Sequence, residues 1–489
     1  MLNSKQVIAS SHIGFGTSGA RGLVCDFTVD VCAAFTVSFL NTMQDSFSVH
    51  TMAIAIDNRP SSFAMAQACA AALQQFNINV IYYGVVPTPA LASLAMSKGL
   101  PCIMVTGSHI PFDRNGLKFY RPDGEITKAD EIAIINGDFN YRAIEQLPPL
   151  IIDDSAASHY IERYVNLFDT AWLTGKRIGI YQHSSAGRDL YPLIFEKLGA
   201  EVISIGRSDT FVPIDTEAVS EADCQKAIEW TREYQLDGLF STDGDGDRPL
   251  LADEQGNWLR GDILGLLSAK ALNIDGLAVP VSCNTAIEAS HYFDVVVRTK
   301  IGSPHVIAAF SALEIQCSRI AGFEANGGFL LGSTITVNGH TLAALPTRDA
   351  VLPVLMVLHS AFNDLTAKSN SVSTLLTELP QRFTYSDRLT NFSIERSKEI
   401  IEYGLQQPQE LLAQLNFSSD QLSAVNAQDG LRLSLTNGSI IHLRPSGNAP
   451  EFRCYAESDS ELNAKSLVEK TLQQLLSINL NTSIVNEVN

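Results

Sequence analysis

Short apolar runs alternate with longer alanine- and leucine-rich stretches through the first three quarters of the chain. Met52–Ile56, Asn79–Tyr83 and Cys102–Val105 are each only four or five residues long, so they read as buried strands. Residues 31–44, the alanine-rich stretch Ser61–Gln75, and a segment opened by Pro87-Thr88-Pro89 read as the helices between them. A second round begins with a helix over His159–Phe168. It continues with strands at Arg177–Tyr181, Glu201–Ile205 and Asp237–Ser241, and helices at Gly187–Leu198 and Glu221–Tyr234. A third round has strands at Leu277–Val281, Val295–Arg298 and Arg319–Phe323. Its helices are Gly261–Ala271, one after Cys283, one near Val306, and a long one over Arg348–Phe362. Strands alternating with helices predict an α/β fold with mixed, largely parallel sheets.

Beyond about Asn370 the texture changes. Helical patches at Ile394–Tyr403 and Pro408–Leu415 precede the alternating run Leu431–Leu435, the turn signal Thr436-Asn437-Gly438-Ser439, and the answering run Ile440–Leu443. Arg453–Glu457 adds a strand and Ser460–Ser477 a closing amphipathic helix, an α+β pattern. A polar, proline-bearing stretch at Gln146–Pro149 marks the first boundary. The division expected is 1–153, 154–257 and 258–372 as three related α/β domains, and 373–489 as a C-terminal α+β domain.

Composition narrows the function. The 489 residues carry a formal net charge of −19, which argues against a nucleic-acid binder needing a basic face. The eight cysteines are scattered with no CxxC pair, so free thiols are expected rather than a disulfide framework or a zinc site. No run approaches the ~18 apolar residues of a membrane span, and the first residues lack a leader pattern, so no membrane partner and a cytoplasmic setting are expected.

Candidate chemistry sits at strand ends. After Cys102–Val105 comes Thr106-Gly107-Ser108-His109-Ile110-Pro111. Gly107 allows a sharp turn, Pro111 blocks further central-strand pairing, and Ser108 is presented where open α/β sheets place their chemistry. Asp243-Gly244-Asp245-Gly246-Asp247-Arg248 follows another strand. Three mutually repelling carboxylates of hard oxygen donors are best tolerated around Mg²⁺. A solvated acidic turn is a competing reading, and so is an aspartyl-nucleophile loop in which Asp243 is phosphorylated. An EF-hand places Glu254 at its twelfth position, but Arg248 then stands where the sharp-turn glycine is required. Glu324 and Asn326, two residues apart, would face one way on extended backbone and suit sugar hydroxyls. Arg444-Pro445-Ser446-Gly447-Asn448 through Arg453 brackets a turn with two guanidinium groups, a phosphate cradle. Phe15–Gly22 offers glycines beside Arg21, and Lys300 adds a further cation.

Taken together these motifs resemble those of the α-D-phosphohexomutase superfamily, the phosphomannomutase/phosphoglucomutase family. The matching segments are Gly16–Gly22, Thr106–Pro111, Asp243–Arg248, Glu324–Gly328 and Arg444–Arg453, five motifs in the family's order across essentially the whole chain. The resemblance implies four domains around one central cleft and a phosphorylated Ser108. It implies one Mg²⁺ per chain, held by Asp243, Asp245, Asp247 and the phosphoserine, which disfavours the aspartyl nucleophile. It also implies a hexose phosphate substrate, with hexose 1,6-bisphosphate as intermediate and activator, in a monomer or homodimer. Arg21, Lys118 and His109 would serve catalysis, Lys118 and His109 being the general acid/base candidates. Arg248, Lys300, Glu324 and Asn326 would bind substrate; Arg444, Ser446, Gly447, Asn448 and Arg453 would hold the unreacting phosphate. Many relatives have Ser-Gly-His where this chain has Asn326-Gly327-Gly328, and Thr-Glu where it has Asn448-Ala449. These forms look most like those of bacterial phosphomannomutases, so mannose 6-phosphate is the expected substrate. Glucose phosphate, alone or with dual specificity, is the runner-up, and a non-catalytic sugar-phosphate binder is the alternative of another class.

Overall fold

A computed structural model of the chain describes residues 1–16, 19–169, 171–363, 371–445 and 450–478. Packing density divides it into two compact units. One comprises Met1–Val279, Phe293–Val297 and Gly302–Glu378; the other comprises Pro280–Tyr292, Arg298–Ile301 and the described chain from Leu379 on.

The larger unit repeats one frame three times. In the first sheet the strands run in the order Gly14–Gly16, Gly19–Leu23, Arg114–Arg121, Cys102–Val105, Thr51–Ile56, Asn79–Val85. Thr51–Ile56 pairs in parallel with both Asn79–Val85 and Cys102–Val105, whereas Cys102–Val105 pairs antiparallel with Arg114–Arg121. In the second sheet Arg177–Tyr181 lies parallel between Glu201–Ile205 and Gly238–Thr242, and Gly238–Thr242 turns back antiparallel into Pro249–Ala252. In the third, Gly276–Pro280 is parallel to Ile320–Phe323, which turns back antiparallel into Phe329–Leu331, followed by Leu345–Asp349. Each time the last parallel strand hairpins into an antiparallel one. The three connecting turns, 106–113, 243–248 and 324–328, are the three motif loops.

Each frame carries its own core. In the first, the helix Val29–Gln44 is capped by Thr28, whose side chain accepts from the Val31 amide, and it buries Phe35, Phe39 and Leu40 completely or nearly so. Phe39 packs its ring 4.8 Å from that of Phe119 on the sheet. Truncating such a ring costs about 3–5 kcal/mol, so this face anchors the strand that carries Lys118.

Two expected helices are shorter than their sequence pattern. The helix read over Gly187–Leu198 begins at Tyr191, because Gly187–Leu190 forms a turn folded against the Tyr191 ring. The helix read over Arg348–Phe362 begins at Val351 and runs to Asn363, while Arg348 ends the strand Leu345–Asp349. The apolar period holds only from Ala350 onward, and the strand before it, Leu345-Pro346-Thr347-Arg348-Asp349, is mostly polar and contains a proline, so it gives no strand signal.

The smaller unit is a five-stranded antiparallel sheet in the order Phe383–Thr390, Glu451–Ser458, Ile440–Pro445, Leu431–Leu435, Leu422–Asn426. The helices Ile394–Gln406, Pro408–Gln414 and Glu461–Leu475 cover it around Leu411, Leu433, Leu443 and Val468. Among the described residues no helix is long and apolar enough to cross a membrane. All eight cysteines are free thiols.

Candidate active site

Two of the hairpin turns of the larger unit meet at Ser108. Its φ is +53°, a conformation that strains a residue bearing a Cβ. The turn is held from both ends. The Ser108 amide donates to Thr106 Oγ1 at 2.8 Å, and Thr106 Oγ1 donates to Asp57 Oδ2 at 2.7 Å. Arg59 reaches the same turn from another strand's end. Its guanidinium donates to four carbonyls, those of Ser108 (2.8 Å), Ile110 (2.6 Å), Pro111 (2.8 Å) and Arg114 (2.9 Å), while its Nε donates to Asp57 at 3.2 Å. Gly107 is required here, since a Cβ would stand 2.6 Å from Arg59 Cζ.

Ser108 Oγ is fully buried and donates to Asp243 Oδ2 at 2.7 Å. Asp243, Asp245 and Asp247 are wholly buried, and each offers a carboxylate oxygen such that the three lie within 4.8 Å of one another. Gly244 lets the 243–248 backbone close on the serine turn; a Cβ there would fall 2.8 Å from the Ser108 carbonyl oxygen. Lys118 projects from Arg114–Arg121 into the cluster, with Nζ 2.5 Å from Asp245 Oδ2 and 2.7 Å from Asp247 Oδ2. Thr88, first residue of the helix Thr88–Ser97, donates its Oγ1 to Asp245 Oδ2 at 2.6 Å and its amide to the Asp245 carbonyl at 2.8 Å.

Burial and the two neighbouring carboxylates push Asp243 well above the usual carboxylate range. Burial opposes charge on Asp247 as well, but Arg348, Lys118 and Arg248 outweigh it and hold this carboxyl low. Asp245 Oδ1 and Asp247 Oδ1 are buried without a hydrogen-bond partner among the described residues. Unsatisfied buried carboxylate oxygens in an all-oxygen donor set fit a hard divalent cation.

His109 stands with Nδ1 3.5 Å from Ser108 Oγ and accepts a hydrogen bond there from Arg248 Nη1 at 2.8 Å. Burial, with Arg248 and Arg21 nearby, lowers its pKa to about 2, so the imidazole is neutral. Arg21 sits on Gly19–Leu23, opposite Gly116 in the register that sets Gly19 opposite Lys118. Burial and the charges of Arg248 and Arg348 lower its pKa to about 10. The glycine-rich opening is thus an antiparallel strand pair, with Thr17 and Ser18 outside the described residues.

The third turn is not extended. The Gly327 amide bonds the Glu324 carbonyl at 2.9 Å, closing a tight hairpin, so Glu324 and Asn326 do not project as an extended i, i+2 pair. Asn326 Oδ1 accepts from the Gly328 amide at 3.0 Å, and Glu324 Oε2 accepts from Arg348 Nη1 at 3.1 Å. Arg348, absent from the sequence-derived set, also donates Nε to Asp247 Oδ2 at 3.0 Å and Nη1 to Ser303 Oγ at 3.0 Å. It joins the turn 243–248 to the turn 324–328. Neither Arg348 nor the Arg59 clamp carries a sequence signal, because both act across long stretches of chain.

In the smaller unit, Arg444 and Arg453 are direct cross-strand partners. Like charges so placed are destabilising unless countered. Asp429 accepts from Arg444 Nε at 3.1 Å and also from the Ile301 amide at 2.9 Å, which ties the segment bearing exposed Lys300 to the same sheet. Arg453 pairs with Glu451 at 3.2 Å. Ser446, Gly447 and Asn448 lie outside the described residues.

Comparison with known proteins agrees along nearly the full chain. Models of the phosphoglucomutase/phosphomannomutase alpha/beta/alpha domain I, alpha/beta/alpha domain II and C-terminal domain match residues 12–143, 158–256 and 389–474. Over 477 residues the chain is 58% identical to a phosphomannomutase of Salmonella muenchen, covering 98% of each. Over 471 residues it is 41% identical to a phosphomannomutase of Sinorhizobium fredii (strain NBRC 101917 / NGR234), covering 94% of this chain and 98% of the relative. The crystal structure of a phosphoglucomutase/phosphomannomutase family protein from Burkholderia thailandensis superposes with a TM-score of 0.72 at 18% identity, over 98% of both chains, and shares the fold.

Proposed function

This chain belongs to the phosphoglucomutase/phosphomannomutase family, as an isomerase of the intramolecular phosphotransferase kind, and we propose that it interconverts mannose 6-phosphate and mannose 1-phosphate through a phosphorylated Ser108. The observation that carries this reading is the seating of Ser108 Oγ 2.7 Å from Asp243, inside a buried carboxylate triad bridged by Lys118. The two relatives named phosphomannomutases support the choice of mannose.

In the forward half-reaction a free hydroxyl oxygen of the hexose monophosphate attacks the phosphorus on Ser108. The bond from phosphorus to Ser108 Oγ breaks, the bond to the sugar oxygen forms, and the hydroxyl proton passes to a protein base. The product is a hexose 1,6-bisphosphate, which returns its other phosphoryl group to Ser108 after turning over. Asp243, Asp245 and Asp247 would hold Mg²⁺, which supplies charge neutralisation at the transferring group. Arg21, Lys118 and Arg248 add positive charge around the same point. With its Nδ1 lone pair taken by Arg248 and its pKa near 2, His109 is poorly placed to take a proton. Lys118 is the remaining candidate, and its Nζ must first be freed from Asp245 and Asp247 and give up a proton before it can take the hydroxyl's. Glu324 and Asn326 would contact the sugar. Arg444, Arg453, Lys300, Ser446, Gly447 and Asn448 would bind the phosphate that is not reacting.

The test is transfer from hexose 1,6-bisphosphate labelled in phosphate, followed by peptide mapping, beside rates on mannose and glucose phosphates. Label on Ser108, its absence in Ser108→Ala, and faster turnover of mannose phosphates are expected. Label on Asp243 would overturn the serine relay, and equal rates on the two sugars would overturn the mannose assignment.

A further inference from the structure

Arg348 is a buried cation with more hydrogen-bonding capacity than its surroundings use. Its side chain is 2% exposed. Nε is spent on Asp247 and Nη1 on Glu324 and Ser303, while Nη2 is buried without a partner among the described residues. Ser303 Oγ in turn donates to Glu125 Oε2 at 2.9 Å, and Thr347 Oγ1 donates to Glu125 Oε1 at 2.8 Å, so the guanidinium is fixed from behind as well as in front. It makes the ion pair of Glu324, with Arg248 acting on that carboxylate from farther away.

We propose that Arg348 is a specificity-determining positioning residue, which acts through Glu324 to admit hexose phosphates with neutral hydroxyls and to exclude 2-amino-sugar phosphates. This inference rests on the reading of Glu324 as a sugar contact. Two features of the geometry support it independently. A carboxylate already paired with a guanidinium offers a hydroxyl group a hydrogen-bond acceptor, but it offers an ammonium group little net attraction. Nη2 is buried as well, so the guanidinium acts on a bound sugar through its charge and not through contact: it disfavours an ammonium group beside Glu324 and leaves a neutral hydroxyl unaffected. Arg21, Lys118 and Arg248 add to the same bias, but none of them forms an ion pair with Glu324.

The experiment compares kcat/KM for glucosamine 6-phosphate and mannose 6-phosphate at pH 7, where the amine is charged, in the full chain with Mg²⁺ and a trace of hexose bisphosphate. The amino-sugar to hexose ratio is expected to rise at least tenfold in Arg348→Met, where Glu324 becomes an unpaired carboxylate. It is expected to stay near the unsubstituted value in Arg348→Lys, which keeps the charge, and to fall back in Arg348→Met combined with Glu324→Gln. A purely structural role lowers both rates together and leaves the ratio unmoved, and that result in Arg348→Met overturns the proposal. Should Arg348→Met fail to fold, Glu324→Gln alone decides: unpairing the guanidinium must lower the ratio, and an unchanged ratio overturns the proposal. Unsubstituted protein that turns over neither sugar refutes the mutase reading instead, and is told apart by that control.

Discussion

Replacing Lys118 by methionine removes the ammonium group lodged in the carboxylate triad. Lys118 Nζ lies 2.5 Å and 2.7 Å from oxygens of Asp245 and Asp247, and all three side chains are at most 2% exposed. At an effective dielectric near 20, each contact corresponds to about 6 kcal/mol of gross attraction. Most of this is offset by the cost of taking three charges out of water. Breaking such a buried pair destabilises by about 3–5 kcal/mol, because uncompensated carboxylates are left behind. At roughly 2 °C per kcal/mol for a large folded unit, the Lys118→Met protein in chelator should melt about 6–10 °C below the unsubstituted one. A divalent cation competes with Lys118 for the same oxygens, so excess Mg²⁺ should close at least half of that gap by binding the folded state. The assay is thermal unfolding followed by circular dichroism, with chelator and then with Mg²⁺. Equal melting temperatures in chelator, or a gap indifferent to Mg²⁺, would refute the argument that Lys118 offsets the charge of the triad.

Further outcomes follow from other contacts. Arg59→Lys keeps the charge but cannot span four carbonyls, and Gly107→Ala pushes a methyl group into the same guanidinium; each should lower kcat by about 10²-fold by misplacing Ser108, with KM within a few-fold in steady-state kinetics. His109→Gln should retain at least tenfold more kcat than Lys118→Met if lysine carries the proton, and the reverse order in the same assay would assign it to the imidazole. Burial lowers the pKa of His442 from 6.5 to about 4, its Nε2 hydrogen bond to the Asp429 carbonyl opposing this only in part. The unfolded chain therefore takes up a proton that the folded one refuses. The contribution is fully present above pH 6.5 and is lost on acidifying to about pH 4, an effect of about 3 kcal/mol. Urea midpoints of the smaller unit should fall over that window, and His442→Gln should flatten the dependence.

The serine and aspartate motifs were legible because their chemistry is packed into a few consecutive residues after short apolar runs. Gly107 and Gly244 even mark where backbones come together. Arg348 was not legible: an apolar helical period beginning two residues later absorbed it, and the five-residue strand that carries it includes Pro346. Arg59 was invisible for another reason. The carbonyls it binds lie some fifty residues away and belong to no residue type. Thr88 looked like a helix opener, which it is, and its bond to Asp245 depends on a loop of another sheet, 157 residues away. Glu324 and Asn326 were found as residues but not as geometry, since a tight turn and an extended segment share the same two-residue spacing.

The three hairpin turns have consequences for how such a protein can change. Each is fastened at both ends to paired strands, so its composition can drift while the register beneath stays fixed. The loops span eight, six and five residues between their flanking strands. A lineage can therefore vary 324–328 while the strands that carry 106–113 and 243–248 keep their register, and Arg348, bonded to both Glu324 and Asp247, is the point at which two of the turns are not independent. Each turn is thus open to its own drift on its own copy of one scaffold, up to that shared guanidinium.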